Sequence, residues 1–262
     1  MKKRKKKYSF LKSVTTVLPD NKNYSYPWFG VNFIESDFKV YENIRFMDIE
    51  EDVNLGWRLH SRLGWSSEEQ SATSDSLYYD MAADKSYLFG NNSLLRFYFR
   101  SEGFWNTEQS QLEDSYFQIK SQWFGSLEEN SRNYLNLSYI NYYNQSIDEQ
   151  VILDGANGMR GYPANFLSGN ESLLLQYERR LYTDWHWFQL ARVGLVGYLD
   201  VGKVWEQGND HGLLLADIGF GLRMISSRAF VRSVVHFDIA FPIEKHPKAD
   251  DWLISFTVKE HF

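Results

Sequence analysis

The sequence predicts an all-β protein: an antiparallel transmembrane β-barrel with about twelve strands. Three observations predict it. Apolar and polar residues alternate with period two in segments of about ten residues, the length that a tilted membrane-crossing strand requires. Through the middle of each segment the apolar positions are nearly free of charge, while the polar positions carry many Arg, Lys, Asp and Glu. An aromatic share of 17% coexists with a mean hydropathy of -0.47. Lipid-facing residues alternating with water-facing ones produce both values at once.

Taken along the chain, Phe29, Val31 and Phe33 oppose Gly30 and Asn32. A less regular strand is expected over Phe38–Met47. Val53, Leu55, Trp57 and Leu59 then oppose Asn54, Arg58, His60 and Arg62. Leu77–Phe89 is again less regular. Leu95, Phe97 and Phe99 oppose Arg96, Tyr98 and Arg100, and Phe117, Ile119 and Trp123 oppose Gln118, Lys120 and Gln122. Leu135, Leu137 and Tyr139 oppose Asn136 and Ser138, and Leu173, Leu175 and Tyr177 oppose Gln176, Glu178 and Arg180. Further strands are expected over Phe188–Val201, Leu213–Met224, Phe230–Phe241 and Trp252–Phe262. Tyr182–Trp187 and Ile225–Ala229 read as short turns. Gln150–Asn170, Glu206–Gly212 and Pro242–Asp251 read as longer loops at the opposite end, and this asymmetry is usual for outer-membrane barrels.

A water-soluble β-sandwich alternates too. The distribution of charge separates the two, because Arg or Lys at mid-bilayer costs roughly 2–4 kcal/mol. Slipping Phe188–Val201 by one residue would turn Arg192 and Asp200 into lipid. No stretch approaches the roughly 18 uncharged apolar residues of a transmembrane helix. With no cysteine, disulfides and thiolate metal sites are excluded. Residues 1–25 form a basic N-terminal segment, read as the remnant of an earlier strand, and 26–262 form the barrel domain. The Lys-rich start followed by Tyr8–Leu18 faintly resembles a signal peptide, but Lys12 interrupts the apolar part and no small-residue cleavage site follows. A solvated charge cluster is the other reading. With a net charge of -6 and no accompanying motif, nucleic acid is not expected as a partner.

Between Gly155 and Gly169 lies a loop centred on Met159-Arg160-Gly161-Tyr162. It is followed by Glu178 and by Tyr198-Leu199-Asp200 with Gly202. Gly219-Phe220-Gly221-Leu222-Arg223, Asp238-Ile239-Ala240-Phe241-Pro242 and a terminal Phe262 come after. Together these resemble the bacterial surface antigen superfamily of outer-membrane barrels, which includes BamA- and TamA-type assembly proteins and the transporters of two-partner secretion. Glu51–Gly56 is similar to a further segment of that superfamily. Tyr198 stands where the family has Phe.

The resemblance implies a bacterial outer-membrane location and an origin in the C-terminal part of a 16-stranded barrel that has five strands after the loop; in this sequence five strands follow the loop and only about seven precede it. The family's periplasmic domains and first strands have no counterpart. A displaced gene start, a truncation and a smaller natural variant all fit. The resemblance further implies that the loop folds into the lumen, that Arg160 meets Asp200 with Glu178 as a second acceptor, and that Tyr198 and Gly202 complete the wall. Phe256, Val258 and Phe262 would form the C-terminal targeting signal.

The expected partners are outer-membrane lipids, unfolded or secreted polypeptides, and the outer-membrane assembly machinery. The implied function is protein assembly, insertion or polypeptide translocation. A passive porin-like or structural surface-antigen barrel is the alternative, as is a non-functional fragment. In a wet lumen an Arg160 ion pair would contribute about 1 kcal/mol. Arg160→Ala is expected to do more harm than Arg132→Ala. No nucleophile elbow and no His-Glu-x-x-His spacing appears, so no enzyme, cofactor or metal is expected.

Overall fold

In a computed structural model, residues 25–45, 47–67, 75–90, 93–127, 130–144, 150–206, 208, 212–228, 233–244 and 246–260 are described. The basic segment 1–24, His261 and Phe262 lie outside them. The described residues form β-strands and connections with no helix. The strands are β1 (Trp28–Ile34), β2 (Phe38–Glu42), β3 (Glu50–Asn54), β4 (Arg58–Ser66), β5 (Ser76–Phe89), β6 (Ser93–Asn106), β7 (Gln111–Gly125) and β8 (Ser131–Tyr143). They continue with β9 (Val151–Leu153), β10 (Leu167–Gly169), β11 (Glu171–Trp187), β12 (Ala191–Trp205), β13 (Leu214–Ser226), β14 (Ser233–Pro242) and β15 (Leu253–Glu260).

Eleven of these make one antiparallel sheet in the order β1-β4-β5-β6-β7-β8-β11-β12-β13-β14-β15. β1 and β15 are its two edges, and the sheet is not closed between them. The two short pairs, β2 with β3 and β9 with β10, stand apart from it.

The sheet curls. On one side the β2–β3 hairpin packs Ile44 and Leu55 with Leu94 of β6 and Phe124 of β7. On the other it packs Met47 and Ile49 with Ile225 of β13 and Val234 of β14. In a flat sheet β6 and β14 would lie roughly 29 Å apart, whereas Ile44 and Met47 are separated by only about 10 Å of chain. The hairpin therefore sits on a concave face.

A second insertion, β9 through β10 with the loop between them, reaches that face from the opposite end. It buries Leu153, Met159, Tyr162 and Phe166 against Val204 and Leu215. The period-two alternation separates the two faces. Leu173, Leu175, Tyr177, Ile218, Phe220, Ile254 and Phe256 are exposed on the convex side. Glu178, Asp200, Asp217, Arg223 and Asp238 are buried on the concave side.

The structure departs from the expected elements in three places. Phe38–Met47 is not a strand of the large sheet: only Phe38–Glu42 is extended, and it pairs with Glu50–Asn54. Five residues span about 17 Å, too little for a bilayer, and the carbonyls of Glu42, Asn43 and Ile44 are taken by Arg132, Arg180 and Tyr182 of the concave face. The large sheet thus has eleven strands where about twelve were expected.

The run over Val53–Arg62 is broken between Asn54 and Arg58, because Asn54 Oδ1 accepts from the Gly56 amide at 2.9 Å and turns the chain. Tyr182–Trp187 is strand, with a bulge between Tyr182 and His186. The turn falls instead on Phe188 and Gln189, with φ of 51° and 55°, and the Leu190 amide donates to the Trp187 carbonyl at 2.9 Å. Neither residue is a glycine or asparagine, so nothing in the local sequence announced the turn.

Candidate functional site

The site is built around Arg160, which the second insertion carries onto the concave face. Asp154 organises the base of that loop. Its Oδ1 accepts from the amides of Ala156 and Asn157, each at 3.0 Å, and its Oδ2 accepts from the Asn165 amide at 2.8 Å. These are side-chain-to-backbone bonds of the Asx type, which hold a tight turn without secondary structure. Gly158 has φ of +111°, a conformation that side chains rarely adopt. Its carbonyl accepts from Gln176 Nε2 at 3.1 Å. Tyr162 O–H donates to the Ala216 carbonyl at 2.9 Å, so the loop is pinned to both β11 and β13. Met159 and Tyr162 are fully buried.

Arg160 is thereby held between three strands. Its Nε donates to Asp200 Oδ2 at 2.7 Å and its Nη2 to Asp200 Oδ1 at 2.8 Å, a two-pronged pair. Nη1 donates to Glu178 Oε1 at 2.7 Å. The guanidinium carbon stands 3.5 Å from the centroid of the Tyr198 ring, in cation–π contact. Glu178 Oε2 accepts from Arg180 Nε at 2.7 Å, and Arg180 Nη1 reaches the Ile44 carbonyl at 3.0 Å. One chain of charge-assisted bonds therefore runs from the loop's Arg160 through Glu178 and Arg180 to the hairpin that enters from the other end.

Burial opposes the charge on Arg160. The hydrogen bonds to Asp200 and the Glu178 and Asp200 charges outweigh it and hold the guanidinium above the ordinary arginine pKa.

Burial changes the energetics expected of this pair. The Asp200 side chain is 0% exposed, Arg160 11% and Glu178 10%. The site is therefore not a wet surface pair worth about 1 kcal/mol. Removing one partner from such an arrangement strands a buried charge, at a cost of about 3–5 kcal/mol. Gly202 lies beneath, where an added Cβ would stand 2.8 Å from Leu153 and 2.9 Å from Met159. Gly161 is tighter still: a Cβ there would meet Asp217 Cβ at 2.7 Å and the Pro242 amide nitrogen at 3.2 Å.

Met159, Arg160, Gly161, Tyr162, Glu178, Tyr198, Asp200 and Gly202 are thus brought together. Phe256 and Val258 are not. They lie on the convex side of the edge strand β15, and Phe262 falls outside the described residues.

Three further residues around the site were given no role by the sequence. One is Asp154, for which the Asp-Gly-Ala-Asn-Gly stretch is a turn signal. A second is Asp217. It lies directly opposite Asp200 in register, fully buried, and neither of its oxygens has a hydrogen-bond partner among the described residues. The third is Arg132, chosen above as a neutral comparator for Arg160. It is 1% exposed and donates to the carbonyls of Asn43, Glu42 and Ser126 at 3.1, 2.9 and 2.7 Å. Arg132 is a structural anchor and no neutral site, and only its distant partners reveal this.

No protein-family model and no curated protein matches the sequence. Among the described residues no group of three or more His, Cys, Asp or Glu is gathered as metal ligands.

Proposed function

We propose that the chain is a bacterial outer-membrane β-barrel that inserts or translocates polypeptides, with the Arg160 loop as a positioning element inside its lumen. The observation that carries the membrane part is the inverted packing: large apolar side chains such as Phe220, Ile218 and Phe256 cover the convex face, while buried charges fill the concave one. Water favours the opposite arrangement, and a bilayer favours this one. Polypeptide handling is supported by the resemblance of Met159-Arg160-Gly161-Tyr162 and Tyr198-x-Asp200, and by the loop's attachment to the strand wall. On this reading the protein performs no covalent chemistry. The loop and the hairpin fill the lumen from its two ends, and the Arg160–Glu178–Arg180 chain links them.

Closure of the ring follows a parity rule. Eleven successively antiparallel strands leave β1 and β15 running in the same direction. A fully antiparallel ring requires an odd number of added strands.

The test is reconstitution of the full chain in liposomes with an unfolded outer-membrane client. Accelerated client insertion relative to empty liposomes is expected, and equal rates would sink the assembly reading. The second reading, a passive channel, is favoured by a cavity of about 490 Å³ beside the loop. Steady single-channel conductance with no effect on client insertion would select it.

A further inference from the structure

The two insertions on the concave face have separate apolar anchors. The loop packs Leu153, Met159, Tyr162 and Phe166 against Val204 and Leu215. The hairpin packs Ile44 and Leu55 with Leu94 and Phe124, and Met47 and Ile49 with Ile225 and Val234. The loop's cluster shares no residue with either of the hairpin's. Among the described residues, the side-chain bonds that join the two insertions pass through one carboxylate, Glu178.

Glu178 divides its oxygens between them. Oε1 accepts from Arg160 Nη1 on the loop side, and Oε2 accepts from Arg180 Nε on the hairpin side, each at 2.7 Å. Arg180 is placed to pass a change on. Its guanidinium carbon lies 4.5 Å from the centroid of the Tyr134 ring, and its Nη1 donates to the Ile44 carbonyl at 3.0 Å. When the loop leaves, Asp200 loses both Arg160 donors and Glu178 loses one of its two. Buried carboxylates without donors are strongly disfavoured, so a cation within reach is drawn toward them. Arg180 is already bonded to Glu178, and a shift toward the vacated position takes Nη1 away from Ile44. Arg132 and Tyr182 keep their bonds to Glu42 and Asn43, so the hairpin loosens without leaving the face.

We propose that the loop and the hairpin form a coupled double plug with Arg180 as the relay: withdrawing Arg160 from Asp200 and Glu178 at one end loosens the β2–β3 hairpin at the other. Coupling between two sites is reciprocal, so displacing the hairpin loosens the loop by the same factor. The consequence for function rests on the lumen reading above. A polypeptide that displaces one insertion eases displacement of the other, and the lumen opens in one step.

The experiment is hydrogen exchange, read by mass spectrometry, on the full chain in uncharged detergent micelles. Arg160→Ala is expected to speed exchange in β2 and β3 about tenfold or more, while β4 and β5 exchange as in wild type. In an Arg180→Met background the relay is already cut, and adding Arg160→Ala should change the hairpin by less than about twofold. An unchanged hairpin in Arg160→Ala, equal acceleration in β4 and β5, or a tenfold effect that persists with Arg180→Met would each overturn the proposal.

Should a variant fail to fold, wild-type exchange in low urea gives the answer. In the loop, the Met159 and Tyr162 amides donate to the Asp154 and Met159 carbonyls; by the hairpin, the Asn43 and Leu55 amides donate to the Ile49 and Asp37 carbonyls. Coupled insertions expose both sets in one opening with one urea dependence, and two openings with different dependences overturn the proposal. Exchange in micelles requires no client. A single opening with no client insertion in liposomes would sink the assembly reading and leave the coupling standing, and separate openings with insertion intact would do the reverse.

Discussion

At Arg160 the fork of three donors is fully used, and its geometry explains why lysine is no substitute. Lysine presents a point charge and cannot hold both Asp200 oxygens and Glu178 in one plane. Arg160→Ala is expected to destabilise the docked loop by about 3–5 kcal/mol. Limited proteolysis checks this: cleavage after the loop should accelerate sharply, while Arg228→Ala at an exposed turn matches wild type. Arg160→Lys should fall between the two.

Gly161→Val should mimic the loss of Arg160, because its Cβ would stand 2.7 Å from that of Asp217. Asp217→Asn has the opposite sign. It removes a buried carboxyl that has no partner and faces Asp200, so thermal unfolding should move upward. A lowered midpoint would show that Asp217 has an ionic role.

At the scale of elements, the β2–β3 hairpin shows how a period-two pattern misleads. Phe38–Met47 alternates only in part and still reads as a sheet strand, yet Arg132, Arg180 and Tyr182 bind its turn carbonyls and hold it across the concave face. Those partners lie some 90 to 140 positions away, at |i−j| of 90, 136 and 139, so no local window contains them. The loop was more legible. Its glycines and Asp154 mark a tight structure, and the resemblance supplied Asp200 and Glu178 as acceptors.

How dry that site is could not be read from sequence, because it depends on Tyr198, Met159 and Tyr162 closing over it. Arg132→Ala is expected to free the hairpin. Trypsin should then cut at Lys39 and Arg45, where wild type is protected, and equal digestion would show that Arg132 does not anchor the element.

For the whole molecule, the exposed convex face governs behaviour. On the proposed membrane reading, Phe220→Arg places a cation in the apolar band and should cost roughly 2–4 kcal/mol of stability in a bilayer. A urea titration in liposomes would measure it. If the variant is as stable as wild type there, and the wild type dissolves without detergent, the membrane reading fails.

The sequence by itself determined which side of each strand is apolar. A strand's side chains alternate strictly, and a one-residue slip would reverse every charge. It also determined the all-β class, through period-two alternation repeated in segments of about ten residues. Only the tertiary structure decided which strands joined the large sheet, that the sheet curls around two insertions, and that Arg160, Glu178 and Arg180 form one connected chain of charges. The physical reason is range. Alternation is a property of neighbouring residues, whereas curvature, burial and the satisfaction of a buried guanidinium depend on groups far apart in the chain.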